Sequence, residues 1–513
     1  MEKNTKEKIY FIILVLILLV GIITRVFKFG EIPIGINVDE AGIMYDAYCI
    51  ANYGTDRFNN SFPVYMINFG GGQSALYTYI AAIFIKIFGF SLTVVRIPAL
   101  FFSILYMIFA FLLVKDLKNK KLAILLEFLI VIVPWHFMQS RWAMDCNLMS
   151  AMMLISIYAL VKSKNKIMYF LAGLLFGITL YTYALSYIIL PIALILLLGY
   201  MLYIKKIKLM DIIILFIPLI LLAIPLILNL LVNWGVINEI KTPYISILKM
   251  WLFRTGEINL NNIFHNIIKM FQVMFAFDIN DYSTFPIFGT LYYISIPFAI
   301  LGFIKSIKEV IKNIKEKSFS LDIIMIVNFI SVFICGILVE PGIERINAIY
   351  ISLIYYIALG ILYVSENRKY IFGTTIGLYI AFFIIFLCYY FGVYGKENTN
   401  LSFNNDVVSV AQYIEENEKY DNKYINMRLN ASQQYIYTLI ANKPSPKEFM
   451  KTANINEREG RIFSYGKYIF YNIDINDDTV YAIEKEEWLK QLLLKIGFTK
   501  ESYNEDIDIF YKK

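Results

Sequence analysis

Residues 9–27 read IYFIILVLILLVGIITRVF, and Arg25 is the only charged side chain among them. An α-helix needs about 20 mostly apolar residues to cross the hydrocarbon core of a bilayer. This run therefore predicts a membrane-spanning helix. It is too long for the apolar core of a cleaved signal peptide, and Thr24-Arg25-Val26-Phe27 lacks the small residues of a cleavage site. We expect it to remain as the first span.

Similar apolar runs recur along the chain. Of its 513 residues, 59% are hydrophobic and only 17% are charged, whereas a soluble domain has about 25% charged residues. The composition excludes a soluble globular domain and a disordered chain, and it predicts an α-helical polytopic membrane protein. Further spans are predicted at roughly 92–114, 122–138, 147–161, 167–185, 187–204, 211–232, 291–304, 321–339, 346–364 and 371–392.

The run 75–90 is ambiguous, because it is short and is interrupted by Lys86. The positive-inside rule decides its status. If it does not span, 20 of the 47 Lys and Arg residues fall in short loops on one side. We therefore predict about 11 spans with a cytoplasmic N-terminus, and an external juxtamembrane or re-entrant helix at 75–90. The basic segments on the cytoplasmic side are 1–8, 115–121, 162–166, 205–208, 305–317 and 366–369.

This topology predicts a plasma-membrane protein with two domains. A transmembrane domain, 1–396, carries a first external loop at 28–91 and a large external loop at 233–290. A soluble α/β domain, 397–513, follows outside the membrane. Its apolar patterning predicts helices at 406–416 and 486–496, and strands at 423–427, 468–471 and 479–483.

Charge and metal-ligand residues narrow the function further. The formal net charge of +7 comes from cytoplasmic loops, so we expect no nucleic-acid partner. The four cysteines are scattered and the two histidines are far apart, which predicts no disulfide framework and no His- or Cys-rich metal centre. We expect no cofactor, while a divalent cation held by carboxylates stays open. These residues are Cys49, Cys146, Cys335, Cys388, His136 and His265.

The first external loop contains an acidic pair, Asp39-Glu40. Acidic residues are common at helix starts, where they cap the helix and interact with its dipole, so a structural role is one interpretation. A catalytic carboxylate is the other, and both hold together if a helix start directs the side chain. The same loop contains Gly70-Gly71-Gly72, which lacks the context of a phosphate loop and which we interpret as a flexible hinge.

Charged residues also lie beside predicted spans on the external side. Arg141 and Asp145 are four positions apart, so a salt bridge is the plain interpretation. Arg96 lies near the outer end of its predicted span, so the plain interpretation is that its side chain extends to place the charge at the membrane interface. The same interpretation applies to Arg345. Charges at a membrane mouth are nonetheless candidates for function.

These residues together resemble a membrane glycosyltransferase of the GT-C superfamily, most closely the family 39-like protein O-mannosyltransferases and the aminoarabinose transferases of lipid A. The N-terminal part, roughly 1–110, carries most of the resemblance. Ser140-Arg141 with Asp145 resembles the second acidic site of the family, and Phe288-Gly289 through Pro297 and Arg345 are weaker matches. The matching residues of the N-terminal part are Asp39-Glu40, Tyr45, Gly54-Thr55-Asp56, Tyr77, Tyr79, Phe88-Gly89 and Val95-Arg96-Ile97-Pro98.

The resemblance implies a sugar donor linked to polyprenyl phosphate and an acceptor outside the cytoplasm. It implies that Asp39 is the base that activates the acceptor, with Glu40 in support and Asp145 as a second acid. The leaving phosphate needs positive charge, for which Arg345, Arg96 and Arg141 compete. Membrane lipids are the other expected partners.

Two other classes of protein stay open. A flippase or transporter of lipid-linked sugars also places charges between spans, but does not require an acidic pair at a helix start. A non-catalytic membrane assembly protein would act through its external tail. Inverted repeats would favour a transporter, and none is evident in the sequence.

Overall fold

Long apolar helices make up most of the chain. The computed structural model describes residues 2–253, 257–277, 279, 283–366, 368–395, 403–404, 406–472 and 474–512. The helices are α1 (Glu2–Val26), α2 (Val38–Tyr53), α3 (Ala75–Phe88), α4 (Leu92–Leu117), α5 (Lys120–Ile132), α6 (Pro134–Gln139), α7 (Cys146–Lys162), α8 (Lys166–Thr179), α9 (Ser186–Tyr203), α10 (Leu209–Asn233), α11 (Ile263–Phe275), α12 (Ile296–Glu316), α13 (Leu321–Leu338), α14 (Tyr350–Val364), α15 (Lys369–Cys388), α16 (Asp406–Glu415), α17 (Gln434–Asn442), α18 (Pro446–Thr452) and α19 (Glu487–Lys495).

The strands are short and belong mostly to the C-terminal tail. They are β1 (Ile36–Asn37), β2 (Tyr65–Asn68), β3 (Gly71–Ser74), β4 (Ile240–Lys241), β5 (Ser246–Ile247), β6 (Phe403–Asn404), β7 (Tyr424–Arg428), β8 (Asn454–Asn456), β9 (Arg461–Tyr465), β10 (Tyr468–Ile469), β11 (Thr479–Ile483), β12 (Thr499–Ser502) and β13 (Asp508–Tyr511).

The chain divides into two compact units. The first unit contains most of the apolar helices. The second unit combines the first external loop and part of the large external loop with the tail. The first comprises Met1–Ile32, Arg96–Ile224 and Thr255–Glu397, and the second comprises Pro33–Val95, Pro225–Arg254 and Asn398–Lys513.

Seven helical segments of the described residues are long and apolar enough to cross a membrane. Other predicted spans coincide with shorter helices, such as α7 and α8, or with a helix interrupted at Pro134, whose ring prevents α5 from continuing. The span predicted at 291–304 overlaps α12, whose C-terminal half is rich in lysine. The predicted number of about 11 spans therefore stays a prediction. The seven segments are Glu7–Val26, Leu92–Leu117, Ser186–Tyr203, Leu209–Asn233, Leu321–Leu338, Asn347–Val364 and Lys369–Tyr394.

The ambiguous run forms the separate helix α3, which has 14 residues. This length is below the roughly 20 residues that a span needs. Gly89, with φ of 85°, ends the helix before α4 begins. The predicted span α8 has the same length, so the placement of 75–90 outside the bilayer stays a prediction.

Ion pairs within the first unit join three of the predicted cytoplasmic segments to one another and to the start of α13. Because these segments come from different helices, the contacts place the ends of those helices together, as the charge distribution predicted. Which side of the membrane this end faces rests on the positive-inside rule alone. The pairs are Glu7–Lys120, Asp116–Lys162 at 2.8 Å and Lys118–Asp322 at 2.6 Å.

A cysteine at position 120 tests the sidedness. In a Cys388→Ser background, which removes the exposed native thiol, we expect Lys120→Cys to resist a membrane-impermeant maleimide in intact cells and to react after permeabilisation. Lys118 is a poorer site, because its ammonium pairs with the buried carboxylate of Asp322. Tyr244→Cys, at a side chain that is 84% exposed in the large external loop, is the positive control. Labelling of position 120 in intact cells would reverse the topology.

In the second unit, the glycine run forms a tight hairpin. β2 and β3 pair antiparallel, with Asn68 opposite Gly71, and Gly70 adopts φ of 81° in the turn. A Cβ atom on Gly72 would lie 2.0 Å from the Tyr65 ring. The interpretation of this run as a flexible hinge was wrong, because both ends are hydrogen-bonded and the glycines allow close packing.

Among the described residues of the tail, seven strands form one mixed sheet in the order β12-β13-β11-β7-β10-β9-β8. The predicted helices at 406–416 and 486–496 correspond to α16 and α19, and the predicted strands correspond to β7, β10 and β11. β6 of the tail pairs with β1 of the first external loop. Independent folding of 397–513 stays a prediction.

Candidate active site

A capping box fixes the start of α2. Asn37 is the N-cap, and its side chain accepts a hydrogen bond from the backbone N–H of Asp39 at 2.9 Å. In return, the carboxylate of Glu40 accepts from the backbone N–H of Asn37 at 3.4 Å. Glu40 is fully buried, so its carboxylate serves the helix start. Asn37 rather than Asp39 is the cap.

Asp39 lies in the first turn of α2 and its side chain is half-buried. Its Oδ1 accepts a hydrogen bond from Nδ2 of Asn68 at 3.2 Å. Partial positive charge at a helix N-terminus stabilises a carboxylate there. Burial, followed by the carboxylates of Glu40 and Asp39, raises the pKa of the nearby Tyr437. Asp39 is therefore a directed and partly accessible acid.

A buried ion pair stands behind Asn68. The guanidinium of Arg57 donates from Nε to Oδ1 of Asp46 at 2.9 Å and from Nη2 to Oδ2 at 2.7 Å. Nη2 also donates to Oδ1 of Asn68 at 3.1 Å. A Cβ atom on Gly42 would lie 2.4 Å from Oδ1 of Asn68, so only glycine at this position of α2 lets the network pack against the helix.

Neighbouring groups set the charges of this network. Burial alone would lower the pKa of Arg57, but Asp46 and Tyr435 raise it above its ordinary value, so the guanidinium stays charged. Burial, followed by the carboxylate of Asp46, raises the pKa of Asp56 to about 7. Asp56 itself accepts from the backbone N–H groups of Phe58 and Asn60 at 3.0 and 2.8 Å, and it shapes the loop that presents Arg57.

In the first unit, the guanidinium of Arg141 holds the C-terminal end of α1. It is fully buried and donates to the carbonyl oxygens of Arg25 at 2.7 Å, Lys28 at 2.8 Å and Ile32 at 3.2 Å. The Phe391 ring lies 5.3 Å from the guanidinium carbon. These carbonyls occupy all three nitrogens, and a helix end leaves such carbonyls without an intrahelical partner.

Arg96 is also fully buried. Its Nη1 donates to the carbonyl oxygen of Gly30 at 3.3 Å, and Arg96 and Arg141 are close enough to repel each other electrostatically. Two guanidinium groups therefore lie around the segment that follows α1, which was the predicted start of the first external loop.

Asp145 caps α7, where its Oδ1 accepts from the backbone N–H of Cys146 at 2.9 Å. Asn347 donates to the carbonyl oxygen of Cys146 at 2.9 Å, and Trp135 donates to Oδ1 of Asn347 at 3.1 Å. The predicted second acid is thus 4% exposed and stands on a rigid loop that long-range hydrogen bonds support.

Arg345 lies among carboxylates, in the segment before α14. Its Nη1 donates to the carbonyl oxygen of Glu340 at 3.0 Å, and its side chain forms long ion pairs with Glu344 at 3.7 Å and Glu257 at 3.8 Å. Tyr183, in the turn between α8 and α9, interacts electrostatically with Arg345, Glu344 and Asp145. Arg345, Glu344 and Asp145 therefore all lie within electrostatic range of the Tyr183 phenol.

The predicted site residues form three groups. Asp39 and Glu40 lie in the second unit, Arg96 and Arg141 lie around the segment after α1, and the last group contains Asp145 and Arg345. Asp46 could have been found from the sequence, because it is seven positions after Asp39 and so shares its helix face. No sequence signal points to Arg57, Asn68 or Tyr183, because Arg57 contacts Tyr435 and Asn68 contacts Asp39 across long separations.

The potential metal ligands and the cysteines do not extend these three groups of residues. Within the part of the chain that the structure describes, no cluster of three or more His, Cys, Asp or Glu side chains is arranged to hold a metal ion. Cys49, Cys146 and Cys335 are buried, and Cys388 is exposed.

A family model of dolichyl-phosphate-mannose-protein mannosyltransferases matches residues 73–234. This match covers α3 through α10, including the segment that contains Arg96, Arg141 and Asp145. No curated protein sequence matches the chain.

The fold is similar to that of solved membrane glycosyltransferases. ArnT from Cupriavidus metallidurans bound to undecaprenyl phosphate matches with a TM-score of 0.53 and 10% identity, over 97% of each chain. Its apo state matches with a TM-score of 0.54 and 9% identity over the same shares. The archaeal oligosaccharyltransferase AglB from Archaeoglobus fulgidus, in complex with an inhibitory peptide and a dolichol-phosphate, matches with a TM-score of 0.47 and 13% identity. That match covers 86% of this chain and 64% of AglB, so the chain spans less than two thirds of AglB.

The chain shares the fold of ArnT over nearly its whole length, and the mannosyltransferase family model matches the central part of its helical region. Its apolar helices are those of a multi-pass membrane protein. Residues 73–234 are therefore similar to the dolichyl-phosphate-mannose-protein mannosyltransferases, and the fold of the chain as a whole is similar to that of ArnT.

Proposed function

We propose that this protein transfers a sugar from a polyprenyl-phosphate-linked donor to an acceptor outside the cytoplasm, with Asp39 as the general base. One observation carries the proposal: Asp39 is half-buried in the first turn of α2 and is directed by Asn68. Its neighbour Glu40 is buried in the capping box. The complex of ArnT with undecaprenyl phosphate supports the class of donor.

In this reaction, the carboxylate of Asp39 takes a proton from the acceptor nucleophile as that nucleophile attacks the anomeric carbon. The bond between the anomeric carbon and the phosphate oxygen breaks, and polyprenyl phosphate leaves with the electron pair. The base and the positive charge at the leaving group each lower the barrier. The proposed orientation places the N-terminus in the cytoplasm, and the tail outside the plasma membrane.

Arg345 is our choice for the group that binds the leaving phosphate. Its side chain is 27% exposed, whereas Arg96 and Arg141 are fully buried. All three nitrogens of Arg141 donate to carbonyl oxygens around the end of α1, so we assign Arg141 a positioning role. Arg96 is the second candidate for the phosphate.

The function is tested directly by incubating the purified protein with radiolabelled sugars on polyprenyl phosphate. We expect the release of polyprenyl phosphate to depend on an added acceptor extract. Mass spectrometry of cell-surface glycans and lipid-linked sugars in a deletion strain then identifies the sugar and the acceptor. A flippase would instead change the sidedness of the lipid-linked sugar without releasing its carrier, and that result would overturn the proposal.

Arg345→Lys tests the assignment of the phosphate ligand. Lysine keeps the charge but loses the planar fork that binds phosphate with two parallel hydrogen bonds. We expect kcat to fall by roughly 10²-fold, with an unchanged melting temperature, in an assay of polyprenyl phosphate release. Arg461→Lys, at a side chain of the tail that is 50% exposed, is the matched control. Wild-type turnover in Arg345→Lys would remove Arg345 from the site.

A further inference from the structure

We propose that Asn68 is a positioning residue for Asp39, and that the C-terminal domain sets its orientation through Tyr435 and Arg57. This inference rests on the proposed function of Asp39 as the base. It also gives the tail a function, since the proposed reaction does not itself use any residue of the tail.

The first step concerns the amide of Asn68, which has a donor end and an acceptor end. Arg57 has only N–H donors, so the oxygen of the amide must face the guanidinium, where the distance is 3.1 Å. The NH₂ group then faces Asp39, which accepts its hydrogen bond at 3.2 Å. Because Arg57 can only donate and the carboxylate of Asp39 can only accept, one orientation of the amide satisfies both hydrogen bonds. Asn68 is 4% exposed, so water offers little competition.

The second step concerns the guanidinium of Arg57, which holds this orientation. Asp46 binds it through two nitrogens, and Nη1 donates to the hydroxyl of Tyr435 at 3.2 Å. Three sides of the guanidinium are therefore occupied by fixed partners. A bidentate pair of this kind fixes geometry as well as charge.

The third step connects this network to the tail. Tyr435 lies on α17, and two neighbouring contacts tie the tail to the segment around Asp39. Tyr437 donates to the carbonyl oxygen of Ile36 at 3.2 Å, and Tyr45 donates to the carbonyl oxygen of Pro444 at 2.6 Å. β6 of the tail pairs with β1, directly before α2. The tail thus holds both the backbone around Asp39 and the side chains that direct it.

The charged and titratable groups around Asp39 come from three directions. Glu40 and Asp46 lie on the same helix, Arg57 lies beyond Asn68, and Tyr437 faces Asp39 from α17. Replacing Asn68 by aspartate keeps a partner for Arg57 and adds one carboxylate beside Asp39. That added charge disfavours the ionised form of Asp39.

The first experiment is the pH–rate profile of full-length Asn68→Asp. We expect the acid limb of kcat/KM to move to higher pH by about one unit or more, because the base now requires a higher pH to lose its proton. Asn52→Asp adds the same charge at an exposed position of α2 and is expected to leave the profile unchanged. A profile of Asn68→Asp that coincides with wild type would overturn the inference.

The second experiment is a double-mutant cycle that joins Tyr435→Phe and Asn68→Ala. We expect Tyr435→Phe to lower kcat several-fold in the wild-type background and to have no effect when Asn68 is already alanine. Tyr481→Phe, a buried tyrosine that bonds within the tail, is the matched control. Additive effects on kcat would show that the tail does not act through Asn68. Tyr435→Phe lies away from Asp39, so it remains informative if Asn68→Asp does not fold.

Asp39→Asn in the same assay separates this inference from the proposed function. If Asp39→Asn is inactive while Asn68→Asp has the wild-type profile, the positioning role alone fails. If Asp39→Asn turns over at the wild-type rate, Asp39 is not the base and both proposals fail.

Discussion

Purified Asp39→Asn protein is expected to release polyprenyl phosphate about 10²–10⁴ times more slowly than wild type, because the asparagine amide is not a general base. In this structure, the substitution removes the base without removing the helix cap or the hydrogen bond from Asn68. Asn37, not Asp39, caps α2, and the oxygen of an asparagine at position 39 still accepts from Asn68. We therefore expect kcat to fall while the melting temperature stays unchanged.

Two further carboxylate variants are compared with Asp39→Asn, one as a control and one as a test of the second acid. Asp477→Asn neutralises a tail carboxylate that is 71% exposed, and it is expected to turn over like wild type. Asp145→Asn keeps a good N-cap on α7, since Asn and Asp cap helices about equally well, and it reports on the second acid. A wild-type rate in Asp39→Asn would move the base to Asp145 or Glu40.

Arg57→Ala is expected to lower the free energy of unfolding of the second unit by about 3–5 kcal/mol, because it leaves the buried carboxylate of Asp46 without its partner. Asp46 is 1% exposed and Arg57 is fully buried, so water does not replace the lost contacts. In a unit of this size the loss corresponds to a melting temperature lower by roughly 10 °C. Thermal unfolding of the full-length protein in detergent measures it.

The paired variant Asp46→Asn/Arg57→Met removes both charges together. It is expected to be more stable than Arg57→Ala, since replacing a whole buried ion pair by uncharged groups costs little. The amide introduced at position 46 also retains an oxygen for the backbone N–H of residue 57, which donates to Asp46 at 2.9 Å in the wild type. Arg461→Ala, at an exposed surface pair, is expected to change the stability by less than about 1 kcal/mol. Equal melting temperatures of Arg57→Ala and the wild type would contradict the prediction that the buried ion pair stabilises this unit.

The membrane part was largely predictable, because its signals are local. A long run of apolar residues predicts a span in the bilayer, and basic residues predict which side of the membrane a loop faces. The contact between Glu7 and Lys120 joins two loops that the charge distribution had placed on the same side. The helix α8 ends at Thr179, whereas the predicted span extended to residue 185, because apolar composition does not record the turns that follow α8.

The tail was half predictable. β7 and β11 are buried central strands with apolar runs, and both were predicted. β8 and β12 are edge strands whose residues are half-buried or exposed, and they were missed, because an edge strand is identified by its partner rather than by its own pattern. β1 and β6 are two residues each and pair across the chain, so no local pattern marks them.

The amino-acid sequence by itself indicated a multi-pass membrane protein, an acidic pair at a helix start and the candidate arginines, because each follows from residue type and near neighbours. Only the tertiary structure decided what each side chain does. It buried Glu40 in the capping box, occupied Arg141 with the carbonyls around the end of α1, and placed Asn68 between Arg57 and Asp39. Arg57 and Tyr435 are 378 positions apart, and a contact over that separation leaves no periodicity for a sequence to show.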